Sequence, residues 1–170
     1  MYSFRNDYSE GAHPKVLQAL ADTNLRQTVG YGMDPCCQAA AATIRRLCAA
    51  PDAAVHFLVG GTQVNLVTID AFLQSYEAVV AAQTGHVSTH ETGAIEATGH
   101  KVCTVESPDG KLTPALVESV LAGHNGTEHM VLPRMVYISD TTEIGTVYTR
   151  AELAALRQCC DAHGLFLYLD

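Results

Sequence analysis

The short apolar runs of this chain constrain its fold more than any other feature. Ala54–Val59, Glu77–Ala82, His100–Val105, Met135–Ile138 and Leu165–Leu169 are separated by segments of helical character, and the last run shows no apolar–polar alternation. A strand with one wet face alternates, whereas a strand buried on both faces does not. Such runs interleaved with helices predict a mostly parallel sheet with helices on both faces. Helices are predicted from Pro14 to Asp22, from Pro35 to about Ala50, from Thr62 to about Gln74, from Pro114 to near Gly123 and from Arg150 to Gly164. In the second of these, Ile44, Leu47 and Cys48 suit one buried stripe. Thr149 and Glu152 form a capping box for the last, and Gly164 suits its end.

Composition narrows the class. The chain has 170 residues, 48% of them hydrophobic, and a formal net charge of −8. That excludes global disorder and argues against a nucleic-acid binder, which would show a basic patch. No segment approaches the ~18 consecutive apolar residues of a membrane span. The first residues lack the apolar core of a signal peptide. A soluble cytoplasmic protein with no membrane partner is the expectation. The cysteines, Cys36-Cys37, Cys48, Cys103 and Cys159-Cys160, contain no CxxC spacing. They read as reduced, mostly buried thiols rather than zinc ligands.

In parallel α/β sheets, ligands bind beyond the carboxyl ends of the strands. Polar residues recur there: Gly60-Gly61-Thr62-Gln63, Gly85-His86, Asp140-Thr141 and Asp170. The two glycines permit close backbone approach, and a helix that follows offers free N–H groups to an anion. The turn lacks both the GxGxxG and the Gly-Lys-Ser/Thr signatures, so it is either a site for a single phosphate or an ordinary strand-to-helix turn. His86 and His90 are four residues apart and read as a hydrogen-bonded surface pair, as zinc ligands, or as a ring that stacks on a planar cofactor. Glu91 follows the second histidine, unlike the zinc pattern HExxH. Asp170, ending an apolar strand, reads as a cap, as an ion pair, or as the acceptor for a protonated heteroaromatic nitrogen.

A phosphate turn, a ring-stacking histidine and an aspartate for a pyridinium nitrogen are the means by which pyridoxal 5′-phosphate is commonly held. On Arg5-Asn6-Asp7, Gly30-Tyr31-Gly32-Met33-Asp34-Pro35, Gly60-Gly61-Thr62-Gln63, His86-Val87-Ser88-Thr89-His90-Glu91-Thr92-Gly93-Ala94 and Leu167-Tyr168-Leu169-Asp170, the chain resembles the threonine aldolase/β-eliminating lyase family of fold-type-I pyridoxal-phosphate enzymes. The resemblance runs over essentially all 170 residues, but over only about the first half of a family member. It implies an α/β, aspartate-aminotransferase-like large domain, truncated. Residues 1–170 would be the N-terminal segment plus most of the cofactor-binding domain, with the remainder of that domain and the small domain absent.

The family's roles are then expected as follows. Gly61, Thr62 and Gln63 hold the phosphate. His86 stacks on the pyridine ring near the substrate hydroxyl, and His129 approaches that hydroxyl as a second histidine. Asp170 pairs with the ring nitrogen. Asn6 falls where many members contact the substrate carboxylate, and Tyr31 lies near the subunit interface and active site. Asp140 stands where many members have asparagine. The family's cofactor-linking lysine and carboxylate-binding arginine lie beyond Asp170, and Lys15, Lys101 and Lys111 offer no substitute. The resemblance implies a homo-oligomer, a tetramer in the family. It also implies cleavage of β-hydroxy-α-amino acids by the full-length parent, with threonine giving glycine and acetaldehyde, and little activity in this chain alone. A β-eliminating lyase of the tyrosine or tryptophan type and a non-catalytic remnant are the alternatives.

Overall fold

The computed structural model describes residues 3, 6, 8–124 and 126–170. The chain divides into two compact units, Met1–Phe57 and Leu58–Asp170.

The first unit carries α1 (Pro14–Thr23) and α2 (Pro35–Leu47). Both begin at a proline, where the missing N–H is no loss. Asp34 caps α2 by accepting hydrogen bonds from the Cys36 and Cys37 amides at 2.8 and 3.0 Å. The helix stops at Leu47, three residues before the expected end, because Ala49 takes a left-handed conformation (φ 50°). The expected buried stripe is corrected as well. Ala41 is this unit's one buried residue among those described, while Leu47 and Cys48 are exposed and Ile44 is barely covered. An amphipathic stripe is buried only against a partner face.

The second unit runs α3 (Gly61–Phe72), β1 (Glu77–Ala82), α4 (His86–Thr89), α5 (Ala94–Ala97), β2 (Lys101–Val105), α6 (Pro114–Ala122), β3 (Leu132–Ile138), α7 (Arg150–His163) and β4 (Phe166–Leu169). The four strands form one parallel sheet in the order β2-β1-β3-β4. The absence of alternation now has its cause. β1 is buried at every position. Val79 and Ala81 face a cluster with Ile69, Leu73, Val87, Ile95, Met135 and Tyr137. Val80 and Ala82 face the opposite cluster, with Val117, Val136, Leu156, Cys160 and Leu165.

The capping box of α7 forms as predicted: Thr149 Oγ1 accepts from the Glu152 amide at 3.2 Å, and Glu152 Oε2 accepts from the Thr149 amide at 2.6 Å. Gly164 ends that helix at φ 65°. Two expectations are corrected. Ala54–Val59 forms no strand, since no described strand lies beside it to complete a ladder, and Val59 is 96% exposed. Only Cys103, Cys159 and Cys160 are buried; Cys36 and Cys48 are exposed and Cys37 half-buried, and all six are free thiols.

Just before α7, the Tyr148 hydroxyl accepts a 2.6 Å bond from the buried Leu112 amide. Tyr148→Phe leaves that N–H without a partner and should cost about 1–3 kcal/mol, read from urea unfolding. An unchanged midpoint would mean that water replaces the hydroxyl.

Candidate active site at the carboxyl ends of the strands

α3 opens at Gly60, in extended backbone and without a side-chain cap. The first intrahelical bond runs from the Val64 amide to the Gly60 carbonyl. The Gly61, Thr62 and Gln63 amides therefore have no partner within the helix. Nothing stands within 4 Å of where a Cβ would project from Gly60 or Gly61, so this turn is an open cradle of donors. Gln63 turns its side chain back, its Oε1 accepting from the Val59 amide at 2.9 Å.

One turn along α3, on the face of Thr62, sits Asn65, which is 1% exposed. Its Nδ2 donates to Glu91 Oε1 at 2.8 Å and to Asp170 Oδ2 at 3.1 Å. Its Oδ1 accepts from the Tyr168 hydroxyl at 2.5 Å. Asp170 lies just past β4, fastened by its amide to the Ile138 carbonyl at 2.9 Å. The Tyr137 hydroxyl also donates to Asp170 Oδ2. Both bonds fall on Oδ2, which leaves Oδ1 as the free acceptor among the described residues. Burial, and then this hydrogen bond to Asp170, drive the Tyr137 hydroxyl far above the usual phenol range, so it stays a donor.

His86 opens α4 just beyond β1. Its Nδ1 lies 2.6 Å from Glu91 Oε1, its side chain is 41% exposed, and its ring stacks on that of His90 at 5.5 Å between centroids. Glu91 is 2% exposed. Burial alone would raise its pKa, yet hydrogen bonding from Thr62, Asn65 and His86 outweighs burial and holds the carboxyl below its ordinary value. Glu91 Oε2 is buried and makes no hydrogen bond among the described residues. The result is one connected group: His86, Glu91, Asn65, Asp170 and Tyr137, with Tyr168 on the central amide.

The structure brings Thr62, His86 and Asp170 together around Asn65, with Gly61 and Gln63 on either side of Thr62. It does not bring His129 to them. His129 is exposed in the loop before β3, whereas His86 and Asp170 follow the ends of β1 and β4. The seven residues of β3 span about 20 Å at ~3.3 Å each, and they separate the two ends of the sheet. His129 therefore lies at the opposite end of the sheet from His86 and Asp170 in this chain. Asn6 and Tyr31 belong to the first unit. Asn6 Oδ1 accepts from the Tyr8 amide and the Ser9 hydroxyl, and Tyr31 is fully exposed at φ 62°. Arg5 and Asp7, which flank Asn6, lie outside the described residues. Asp140 braces its own loop, its Oδ1 accepting from the Tyr148 amide at 3.2 Å.

Asn65, Glu91, Tyr137 and Tyr168 were given no role from sequence. The available signal was a polar residue on the apolar face of α3, one turn after Thr62.

The group fits pyridoxal phosphate by its donors and acceptors: free helix amides for a phosphate, a carboxylate oxygen for a protonated ring nitrogen, and an imidazole for the ring face. A parallel sheet of this order with a site at its carboxyl ends is the aminotransferase-type fold. It is shared with the aspartate aminotransferase of Rhizobium meliloti at a TM-score of 0.69 and 16% identity, over 95% of this chain and 41% of that one. The beta-eliminating lyase family profile matches residues 4–170, and the chain belongs to that family. It is 55% identical to the threonine aldolase of Leishmania major, with a TM-score of 0.96 over 100% of this chain and 49% of that one. It is 36% identical over 169 residues to the low specificity L-threonine aldolase of a Pseudomonas species, covering 98% of this chain and 48% of the relative. The corresponding protein of Pseudomonas aeruginosa is 34% identical over the same lengths. The chain spans about half the length of the curated relatives it matches.

A carboxylate whose folded pKa is depressed stabilises the fold above its unfolded value, and that contribution is lost as pH falls through the folded pKa. Glu91→Gln should therefore lower stability by about 1–3 kcal/mol at neutral pH. The gap to the parent should close below about pH 4, where the unfolded carboxyl takes up its proton. Urea unfolding between pH 7 and pH 3 measures this. A gap independent of pH would show that Glu91 is not held ionised.

Proposed function

We propose that this chain forms the cofactor-facing part of a pyridoxal-phosphate-dependent aldolase that cleaves β-hydroxy-α-amino acids, most simply threonine to glycine and acetaldehyde. The observation that carries the reading is Asp170. It is seated at the carboxyl end of a parallel sheet with one oxygen bonded and the other free, one turn of α3 from an open amide cradle. The names of the Leishmania and Pseudomonas relatives support the aldolase over elimination at an aromatic substituent.

The chemistry the cofactor supplies when bound is withdrawal of the electron pair released as Cα–Cβ breaks. The chain's own residues prepare that step. Asp170 Oδ1 keeps a proton on the ring nitrogen, and Tyr137 and Asn65 hold the carboxylate in place. The Gly61, Thr62 and Gln63 amides bind the phosphate, helped by the positive end of the helix. His86, or a water it positions, takes the proton of the substrate hydroxyl.

No described lysine of this unit serves as the covalent anchor. Lys101 begins β2, at the wrong end of the sheet. Lys111 Nζ is tied to Glu152 Oε1 at 2.6 Å, a bond that raises its pKa and keeps it protonated. A Schiff-base amine needs the opposite. Lys15 lies in the first unit. We assign the anchor, the carboxylate-binding arginine and the small domain to sequence outside these 170 residues. A cytoplasmic setting and assembly into homo-oligomers belong to the same proposal. The free thiols support the first, and exposed Val16, Leu17 and Leu20 along α1 support the second. No described helix is long and apolar enough to cross a membrane.

Absorbance titration of the purified chain with micromolar pyridoxal phosphate tests this reading. Saturable binding that dialyses away, is not fixed by borohydride, and falls at least about tenfold in Asp170→Ala is expected. Binding equal in the parent and in Asp170→Ala would sink it.

A further inference from the structure

The hydrogen bonds around Glu91 bear on something the proposed function leaves open: which nitrogen of His86 carries its proton. Glu91 is buried and ionised, so it can only accept. Its Oε1 stands 2.6 Å from His86 Nδ1. In the neutral ring, the proton must then sit on Nδ1, and Nε2 is left with a lone pair. A free imidazole prefers the other arrangement. We infer that Glu91 is a positioning residue that fixes His86 as the Nδ1–H tautomer, holding Nε2 as the acceptor that faces the substrate hydroxyl. The direction of Nε2 rests on the reading above; the tautomer does not.

Asn65 and Tyr168 complete the device. Glu91 Oε1 is held by the Asn65 Nδ2 at 2.8 Å as well as by His86. That amide serves Glu91 only in one orientation. Turned over, it would aim Oδ1 at two carboxylates, Glu91 and Asp170. The Tyr168 hydroxyl, 2.5 Å from Oδ1, holds the productive orientation. The groups that face the His86–Glu91 pair are Asn65, the Thr62 hydroxyl and the stacked His90 ring, whose own Nδ1 is engaged by Thr89 at 2.6 Å. Among the described residues Glu91 Oε1 is the one hydrogen-bond partner of His86 Nδ1.

The test is a long-range nitrogen–proton correlation spectrum of the ring-labelled chain near pH 8.5, about two units above the ordinary imidazole value. The His86 signals are identified by their loss in His86→Asn. A pyrrole-type Nδ1 and a pyridine-type Nε2 are expected in the parent. Glu91→Gln keeps a carbonyl acceptor and should keep that pattern, whereas Glu91→Ala should move the proton mainly to Nε2. Tyr168→Phe should give a mixture. Circular dichroism and the unchanged signals of the remote histidines establish that each variant is folded. If Glu91→Ala does not fold, the parent spectrum and Tyr168→Phe decide. A pyridine-type Nδ1 in the parent, or a folded Glu91→Ala with the parent's pattern, overturns the assignment. If pyridoxal phosphate fails to bind while the parent shows Nδ1–H, the cofactor reading falls and the tautomer assignment stands.

Discussion

Two carboxylates, Glu91 and Asp170, share one amide. Without Asn65 they would face each other across a partly dry space, where like charges repel strongly. Its two N–H groups satisfy one oxygen of each, and the Tyr168 hydroxyl satisfies its carbonyl. Every polar atom of this 1%-exposed side chain is thus used. Asp170 is one bond from Asn65, the start of α3 one helical turn, and His86 two bonds by way of Glu91, so all three are tied to this arrangement.

The sheet puts those pieces within reach. β1 and β3 are covered on both faces, so their ends are fixed by packing rather than by loops. His86 follows β1 after a short turn, and Asp170 follows β4 at once. α3 joins the two levels: its first turn presents amides, its second Asn65, and its third Ile69, which is fully buried in the core. Site geometry therefore inherits the stiffness of the close-packed interior.

Much of this was legible in the sequence, and the limits have physical causes. Period and cap residues are local signals, so the α7 capping box, the proline starts and the parallel sheet could all be read. Ala54–Val59 could not be read correctly, because a strand exists only with a neighbour and no local signal reports one. The stripe of α2 failed for the same reason. Gly61, Thr62, His86 and Asp170 were singled out from residue type and order, and the start of α3 and the ends of β1 and β4 carry them. Asn65 and Tyr168 were missed because their bond joins residues 103 apart, and neither type is diagnostic alone. His129 was carried over on spacing, and spacing alone does not say which end of a strand a residue meets.

The Asn65–Asp170 bond closes a loop of 105 residues. Closure of so long a loop costs entropy that only the completed sheet repays. In the order of folding, the seat of Asp170 is therefore among the last features to form, after β1, β3 and β4 have aligned. Any ligand that needs both the amide cradle and Asp170 meets a finished surface rather than a nascent chain, so its binding would report that the whole unit from Leu58 to Asp170 has folded.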